Sequence, residues 1–356
     1  MNDIRLPAVA GTFYPADPAI LAQEVEQLLA AVEAPEPPAA LKALIVPHAG
    51  YIYSGPVAAQ AYARLRPQAA RITRVVLLGP VHRVAVRGLA LPAASTFATP
   101  LGKVPLDRAG MAAIADLPQV GVSAAAHALE HSLEVHLPFL QTVLGAFQLL
   151  PLAVGDATAD EVAQVLERLW GGEETLVVIS SDLSHYLSYA AAQNTDSATV
   201  RQILAMEPGL NHQQACGATP VNGLLRFAAA HGLHTQLLDM RNSGDTSGDK
   251  ARVVGYAAIG LYPAAPTRTD DQETGEDLLK VARDAIAQHL GEPSQAHPEQ
   301  PWMHQPGASF VTLTQRGQLR GCIGSLEAQR PLLGDVRANA VAAASRDSRF
   351  PPLRAA

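Results

Sequence analysis

Three apolar runs that each end in ionisable side chains constrain the fold of this 356-residue chain more than any other feature. Apolar runs of this length, bounded by proline, glycine or serine, are typical of buried strands in an α/β sheet. Stretches with helical spacing separate them, so the sequence predicts an α/β fold with a mostly parallel central sheet flanked by helices. The runs and the ionisable residues that follow them are 41–46 with His48, 74–79 with His82, and 175–179 with Asp182 and His185.

His48 and His82 are candidate ligands for a metal ion. A single histidine after a strand is more often structural, but here the strand-proline-histidine pattern occurs twice. The carboxyl ends of parallel strands meet at one edge of a sheet, about 5 Å apart, so both imidazoles are expected at one site. We expect Asp182 and His185 to act there as a base and as a hydrogen-bonding partner of substrate or bound water.

Cys216 is the third candidate ligand. It precedes a predicted helix for which Thr219 is the expected N-cap and Pro220 the first residue. The positive end of a helix dipole lowers the pKa of a nearby thiol, and the thiolate is the form that binds metal. Two imidazoles and one thiolate leave open coordination positions and suit zinc, iron or copper. A lone cysteine is more often an inert core residue, so this assignment depends on the two histidines.

Residues 127–139 contain three histidines and two glutamates and are expected to form a helix. On such a helix Glu130 belongs to a charged, solvent-exposed face, with Glu134 one turn further along. The histidine-rich part of this segment is expected either to surround the metal ligands or to face a substrate. The residues assigned to a substrate pocket beside the metal ligands are Tyr51, His131, Glu134 and His136.

Composition and charge argue against several classes of protein. With a net charge of −7 and no basic run, the chain is not expected to bind nucleic acid or an anionic membrane surface. Its apolar runs fall short of the roughly 20 residues of a membrane span, and its N-terminus lacks the form of a signal peptide. Two cysteines cannot build a disulfide framework, so we expect a protein of the reducing cytoplasm.

The polar, proline-rich residues 263–275 are predicted to link two domains. Residues 1–262 form the predicted α/β domain, and residues 276–356 form an α+β domain. About 80 residues make a thin core, so the chain is expected to stop before this second domain is complete. Its predicted elements are a helix over 276–290, strands over 309–314 and 318–324, and a helix over 332–345.

The first domain carries six separated motifs: Arg5-x-Pro-x-x-Ala-Gly-x-Phe-Tyr-Pro15, Pro47-His-Ala-Gly-Tyr51-x-Tyr-Ser-Gly55, Gly79-Pro-x-His82, Glu130-His-Ser-Leu-Glu-Val-His-Leu-Pro-Phe139, Ser180-Ser-Asp-Leu-Ser-His-Tyr186 and Cys216-Gly217. Together they resemble the Memo family, whose fold is similar to that of the class III extradiol dioxygenases. By that resemblance the metal ligands are His48, His82 and Cys216. Asp182 and His185 line the same pocket, where His185 matches the dioxygenase base. The dioxygenases bind non-haem iron through two histidines and a glutamate, so the cysteine argues against ordinary ring-cleaving chemistry.

The second domain carries Leu319-Arg-Gly-Cys322-Ile-Gly324, and it resembles the AMMECR-type domain, of which this is the signature. In microbes, Memo-like and AMMECR-like proteins are associated with a radical-SAM protein in the AmmeMemoRadiSam group. The resemblance therefore implies a radical-SAM protein as a partner. Cys322 is predicted to be a packed strand residue rather than a catalytic one.

The leading hypothesis is a metal-dependent redox enzyme of dioxygenase-like fold that acts on an unknown small molecule. Iron is the metal that the resemblance implies, with copper and zinc as alternatives. The second hypothesis is a non-catalytic protein that uses the cleft to hold a metal or a peptide. A metal-assisted hydrolase is the third. Serines lie beside the acid and the histidine of the third run, although the Gly-x-Ser-x-Gly motif and the standard nucleotide-binding motifs do not occur.

Overall fold

The structure is a computed structural model, and it describes residues 3–33, 40–263, 269–293, 299–315 and 317–354. The chain forms two compact units, residues 1–265 and residues 266–356. A membrane-crossing helix is absent from the described residues, whose helices are all too short or too polar for that role.

The strands of the first unit form one large sheet and one small sheet. They are β1 Ile4–Arg5, β2 Ala43–Val46, β3 Arg74–Pro80, β4 Leu89–Leu91, β5 Thr96–Thr99, β6 Gly102–Pro105, β7 Val120–Val122, β8 Gln148–Val154, β9 Thr175–Ser180, β10 His185–Leu187, β11 His234–Asn242 and β12 Val253–Tyr262. The large sheet has the order β10-β12-β2-β9-β3-β8-β4-β7, and β11 also pairs with β12. The small sheet has the order β1-β5-β6.

The centre of the large sheet is parallel, as predicted. Strands β2, β9, β3 and β8 run in the same direction, with Val46 opposite Ser180 and Leu78 opposite Ile179. On either side of this centre, β12 pairs with β2 and β4 pairs with β8 in the antiparallel sense. The predicted α/β fold is therefore confirmed, and its sheet is mixed because antiparallel strands flank the parallel core.

Helices cover both faces of the large sheet. Within β3, Val75 and Leu77 point into one apolar cluster while Val76 and Leu78 point into the other, as the period of two in a strand requires. Helices α1, α2 and α5 contribute to the first cluster, and α6, α7 and α8 contribute to the second. The helices are α1 Pro18–Ala30, α2 Tyr51–Tyr62, α3 Arg108–Ala113, α4 Ala124–Ala128, α5 Leu137–Leu144, α6 Ala159–Leu169, α7 Tyr189–Leu204, α8 Ala218–Ala230 and α9 Ser243–Ser247.

The predicted single helix over residues 127–139 is wrong. Helix α4 ends at Ala128, a turn follows, and a 3₁₀ turn over Glu134–His136 leads into α5. The Glu130 carboxylate accepts hydrogen bonds from the backbone N–H groups of His131 and Ser132, which competes with helical hydrogen bonding. Pro138 then favours a new helix start, since proline is tolerated in the first turn.

Two further segments differ from the expected loops. Residues 242–249 are rich in glycine, serine and aspartate, which is typical of a loop, but they contain helix α9 because Asn242 and Asp245 form a capping box at its start. In the predicted linker over residues 263–275, helix α10 already begins at Thr269, and residues 264–268 lie outside the described residues.

The second unit packs two helices against a hairpin. Val281 and Met303 pack with Leu333, Val336 and Ala340 of the last helix in its small core. Cys322 is half-buried on the second hairpin strand, with Thr312 as its cross-strand neighbour. The elements are α10 Thr269–His289, β13 Pro306–Gly307, β14 Phe310–Gln315, β15 Gln318–Gly324, β16 Arg330–Pro331 and α11 Leu332–Ser345.

Asp335 connects the elements of this second unit. Its buried carboxylate accepts hydrogen bonds from Ser309, just before β14, and from Ser325, just after β15. It also accepts hydrogen bonds from Arg330 of β16 and from Asn339 of its own helix, α11. These charge-assisted hydrogen bonds lower the pKa of Asp335 against the opposing effect of burial, so the carboxylate is ionised at neutral pH.

Replacing Asp335 with alanine is expected to destabilise the second unit by about 2 kcal/mol, because several buried donors lose their acceptor. Hydrogen exchange of the β14 and β15 amides measures this change. The matched control is Asp277→Ala, which removes a partly exposed pair with Lys280 and should change exchange little. Equal effects of the two substitutions would contradict the role given to Asp335.

Candidate metal centre

Three histidines meet at the carboxyl edge of the parallel strands. One ring nitrogen from each of His48, His82 and His131 lies within 4.8 Å of the others. The His82 and His131 rings stack with centroids 4.5 Å apart, and the His48 ring lies edge-on to both. The prediction that strand ends bring His48 and His82 to one site is confirmed, and the structure adds His131 to that site.

His48 is held in one tautomer by β9. Its Nδ1 lies 2.6 Å from Ser180 Oγ, and Ser180 donates its only hydroxyl proton to the carbonyl oxygen of Ser132 at 2.6 Å. The hydrogen bond between His48 and Ser180 must therefore be donated by Nδ1–H of the imidazole. This leaves Nε2 of His48 with a lone pair, which is the form that binds a metal ion.

His82 is held in the same tautomer by Glu130. Its Nδ1 donates to Glu130 Oε1 at 2.8 Å, and its backbone N–H donates to Glu130 Oε2 at 2.6 Å. A carboxylate that orients an imidazole through Nδ1–H is the arrangement found around many metal-binding histidines. Nε2 of His82 therefore also carries a lone pair that can bind a metal ion.

Glu130 is not the solvent-exposed residue predicted from helical spacing. It is 2% exposed and binds His82 together with the N–H groups of the next two residues. Burial alone would raise the pKa of Glu130, but its hydrogen bonds, led by the one from His82, lower it to about 2. Spacing along the sequence did not predict this role of Glu130. The available signal was a glutamate within a histidine-rich segment.

His131 joins the cluster through packing. One face of its ring lies against His82, and Phe13 contacts it with a centroid distance of 4.8 Å. Burial and the charge of His82 lower the pKa of His131 to about 4, so the ring is neutral at pH 7 and able to bind a metal. We predicted His131 as a pocket residue, and its distances also suit a ligand.

Cys216 lies beside His48. Its Sγ is 3.4 Å from Nε2 of His48, and it accepts the backbone N–H of Asp182 at 3.3 Å. Burial, with the nearby Asp182 carboxyl, raises the pKa of the Cys216 thiol, so the predicted lowering by the helix dipole is wrong. Helix α8 begins at Ala218 with Gly217 as N-cap rather than Thr219, and burial outweighs the effect of its dipole.

Asp182 and His185 flank the cluster. One oxygen of Asp182 accepts the backbone N–H of His48 at 2.7 Å, and the other lies 4.0 Å from His48 Nε2. Burial raises the pKa of Asp182 to about 7 despite the hydrogen bonds it accepts. Burial lowers the pKa of His185, which is half-buried on β10 and electrostatically coupled to His48 and His82.

The other residues predicted to line a substrate pocket lie behind the cluster. Glu134 is fully buried and forms an ion pair with Arg5. His136 is buried with its Nδ1 2.8 Å from the hydroxyl of Tyr62, and Tyr51 donates its hydroxyl to a backbone carbonyl oxygen. The structure thus places these side chains in the packed wall that supports the histidines.

A cleft of about 450 Å³ opens over the cluster, and both His82 and Cys216 line it. Val81, Val86 and Val154 form an apolar wall, while exposed His212 and Asp156 supply polar groups. The cleft has room for a small organic molecule next to the ligand atoms.

The donor set fits a divalent transition metal. Bonds from imidazole nitrogen to such metals are about 2.1 Å long, so nitrogens that share one ion lie roughly 3–4 Å apart. The ligand atoms of the three histidines lie within 4.8 Å of one another, so the side chains must move closer together to share one ion. The three histidines are the set whose ligand atoms lie close together, and the structure places the sulfur of Cys216 beside His48, 3.4 Å from Nε2. Imidazole, with or without thiolate, suits iron, copper or zinc.

Comparison with known proteins covers nearly the whole chain. The family described as Memo-like protein matches residues 5–260, and AMMECR1 matches residues 279–356. Three relatives, each called a MEMO1 family protein, match 72% of this chain and 98% of their own length. They are the proteins of Sulfolobus acidocaldarius (34% identity over 280 residues), Ignicoccus hospitalis (38% over 281) and Aquifex aeolicus (36% over 270).

Proposed function

Because this chain belongs to the Memo family, we propose that His48 and His82 of the histidine cluster hold a divalent metal and that the protein is a metal-dependent redox enzyme for a small molecule. The observation that carries the proposal is the fixed protonation of the two strand-end imidazoles. Ser180 accepts a hydrogen bond from Nδ1–H of His48, and Glu130 accepts one from Nδ1–H of His82. The Nε2 lone pairs of both imidazoles are therefore available to one ion.

His48 and His82 would hold the metal together with Cys216, and His131 would stand beside them. A bound iron ion supplies a redox-active centre that also acts as a Lewis acid. Iron is the metal we propose, with copper as the alternative that a thiolate ligand also suits. The thiol of Cys216 must lose its proton when it binds the metal. The backbone N–H of Asp182 already donates to the sulfur and helps to position it.

The remaining polar groups suit proton transfer. The pKa of Asp182 near 7 lets this carboxyl take up or release a proton at neutral pH, and it lies beside His48. His185 is the group we assign to hydrogen bonding with substrate. The valine-lined wall of the cleft would bind the apolar part of that substrate.

A serine hydrolase is a poorer fit to this geometry. Ser180 is fully buried and donates its hydroxyl proton to Ser132, so His48 does not act as its base. Ser181 donates to the carbonyl oxygen of Asp182 and supports the loop rather than facing the cleft. The AMMECR1 match on the same chain supports a further proposal, that a radical-SAM protein is a partner in the same process.

Metal analysis of the purified full chain tests the proposal. Wild type is expected to carry about one metal ion per chain, and His48→Ala is expected to lose at least 100-fold in affinity because a ligand is removed. The matched control is His304→Ala, an exposed histidine of the second unit, which should leave the metal content unchanged.

Absence of stoichiometric metal from wild type after reconstitution with iron, copper or zinc would contradict the proposal. Oxygen uptake with a catechol or ascorbate, lost in His48→Ala, is the expected sign of redox activity. Bound metal without any uptake would favour a non-catalytic metal-binding protein instead.

A further inference from the structure

Asp156 is the acidic residue in the lining of the cleft over the metal cluster. None of the described residues that line this cleft is a lysine or an arginine. Asp156 is exposed, and no hydrogen bond or ion pair joins its carboxylate to another residue that the structure describes. Its negative charge is therefore available to a molecule in the cleft.

Asp156 lies next to the proposed metal ligand His82. In the parallel pair of β3 and β8, Pro80 is opposite Val154, and His82 and Asp156 each follow by two positions. Neighbouring strand ends are about 5 Å apart, and both residues line the same cleft. A molecule that binds beside the metal is therefore within reach of the carboxylate.

The backbone that carries Asp156 is fixed. Its N–H donates to the carbonyl oxygen of Val86 at 2.8 Å, and its carbonyl oxygen accepts the N–H of Gly88 at 2.8 Å. Gly155 permits this close approach, because a Cβ there would lie 2.1 Å from the carbonyl oxygen of Val86. Only the short side chain of Asp156 must be ordered when a ligand binds, which keeps the entropic cost of binding low.

The exposed histidine of the cleft, His212, is engaged within the protein. Its Nδ1 lies 3.2 Å from the carbonyl oxygen of Cys216, and its Nε2 lies 3.4 Å from the hydroxyl of Thr219. Both ring nitrogens therefore have partners, and the carboxylate of Asp156 is the polar group that this side of the cleft presents to a ligand.

Two arginines of the loop after β3, Arg83 and Arg87, do not neutralise Asp156. Neither lines the cleft. The charge of Arg83 acts on His131, and the charge of Arg87 acts on Glu161. Away from the metal, the cleft therefore attracts a cationic group and repels an anionic one.

We propose that the small molecule bound in this cleft has a protonated amine that pairs with Asp156 and an apolar body that packs against the valine wall. The inference rests on the proposed function, which makes this cleft the substrate site. It adds the class of substrate, an apolar amine rather than a carboxylic acid.

Titration of the full chain with three probes of similar shape tests this class. The probes are 2-phenylethylamine, 2-phenylethanol and 3-phenylpropionate, which are cationic, neutral and anionic at pH 7. At low ionic strength the amine is expected to bind about fivefold more tightly than the alcohol, the ratio that one exposed ion pair supplies, and the acid is expected to bind most weakly. Equal affinities, tightest binding of the acid, or no binding of the amine would overturn the proposal.

The titration uses metal-free protein, so that neither the amine nor the carboxylate binds an ion instead of the cleft. Its outcome is therefore separate from that of the metal analysis. A chain that binds no metal contradicts the proposed function, whereas a metal-binding chain without a preference for the amine contradicts only the substrate class.

Three variants locate the binding. Asp156→Asn keeps the shape of the side chain but removes its charge, so the ratio of amine to alcohol affinity should fall to about one. Asp116→Asn removes the same charge from a surface pair with Arg168, outside the cleft, and should keep the ratio. Ala85→Trp fills the cleft and should weaken binding of all three probes at least tenfold. A preference for the amine that persists in Asp156→Asn, or unchanged binding in Ala85→Trp, would place the probes elsewhere and overturn the proposal.

Discussion

Replacing Glu134 with alanine is expected to lower the free energy of unfolding of the first unit by about 3–5 kcal/mol. Glu134 is fully buried and pairs with Arg5, whose side chain is also buried. Its carboxylate also accepts hydrogen bonds from the backbone N–H groups of Ala8 and Val9 and from the hydroxyl of Tyr14. Alanine leaves the guanidinium without its counter-ion and these donors without an acceptor, and that loss is the source of the cost.

The matched control for Glu134→Ala is Glu26→Ala. Glu26 pairs with Arg66 at 3.6 Å on the surface, where removal should cost less than about 1 kcal/mol. Denaturant unfolding of metal-free protein in a Trp302→Phe background makes Trp170 the only tryptophan, because the chain has two. A loss below about 1 kcal/mol for Glu134→Ala would show that the ion pair does not hold the N-terminal segment in place.

Replacing Glu130 with glutamine is expected to weaken metal binding by about 10–100-fold, although Glu130 is not itself a ligand. Glutamine keeps the size of the side chain, but its amide group places a donor where both carboxylate oxygens now accept. One of the two donors of His82, Nδ1–H or the backbone N–H, then loses its acceptor. Loss of the Nδ1–H bond frees the tautomer of the imidazole, and loss of the backbone bond loosens the segment that positions the ring; in either case Nε2 becomes a poorer ligand.

Competition with a chromogenic chelator measures the affinity change for Glu130→Gln. Glu207→Gln, at an exposed position, is the matched control and should bind metal as wild type does. Thermal unfolding of both metal-free variants separates loss of the fold from loss of the site. Unchanged affinity in a folded Glu130→Gln protein would remove Glu130 from the metal centre.

The strand ends could be predicted from sequence because their signals are local. Each apolar run precedes its histidine or aspartate directly, and the parallel order of β2, β9 and β3 places these ends together. The residue type of Cys216 pointed to the same site, and its sulfur does lie beside His48 although 168 positions separate the two residues. That Cys216 ligates the metal remains a prediction.

The properties that sequence missed depend on burial. The raised pKa of the Cys216 thiol comes from tertiary packing, which local reasoning about a helix dipole does not contain. Glu130 was assigned to solvent because a helix was expected, and its own carboxylate is one cause of the helix ending early. His131 reaches the cluster through a ring stack with His82, a contact that spacing along one helix does not predict.

The neighbours of β2 have a consequence for synthesis of the protein on the ribosome. Strand β2, which ends two residues before His48, lies between β9 and β12, so its partners are made more than a hundred residues later. Until residue 262 has left the ribosome, the apolar strand β2 has an unpaired backbone edge. Such an edge is a surface on which other unfolded chains can form β-pairing and aggregate. The parallel core of the sheet therefore closes only late in synthesis, once β9 and β12 are both available to pair with β2.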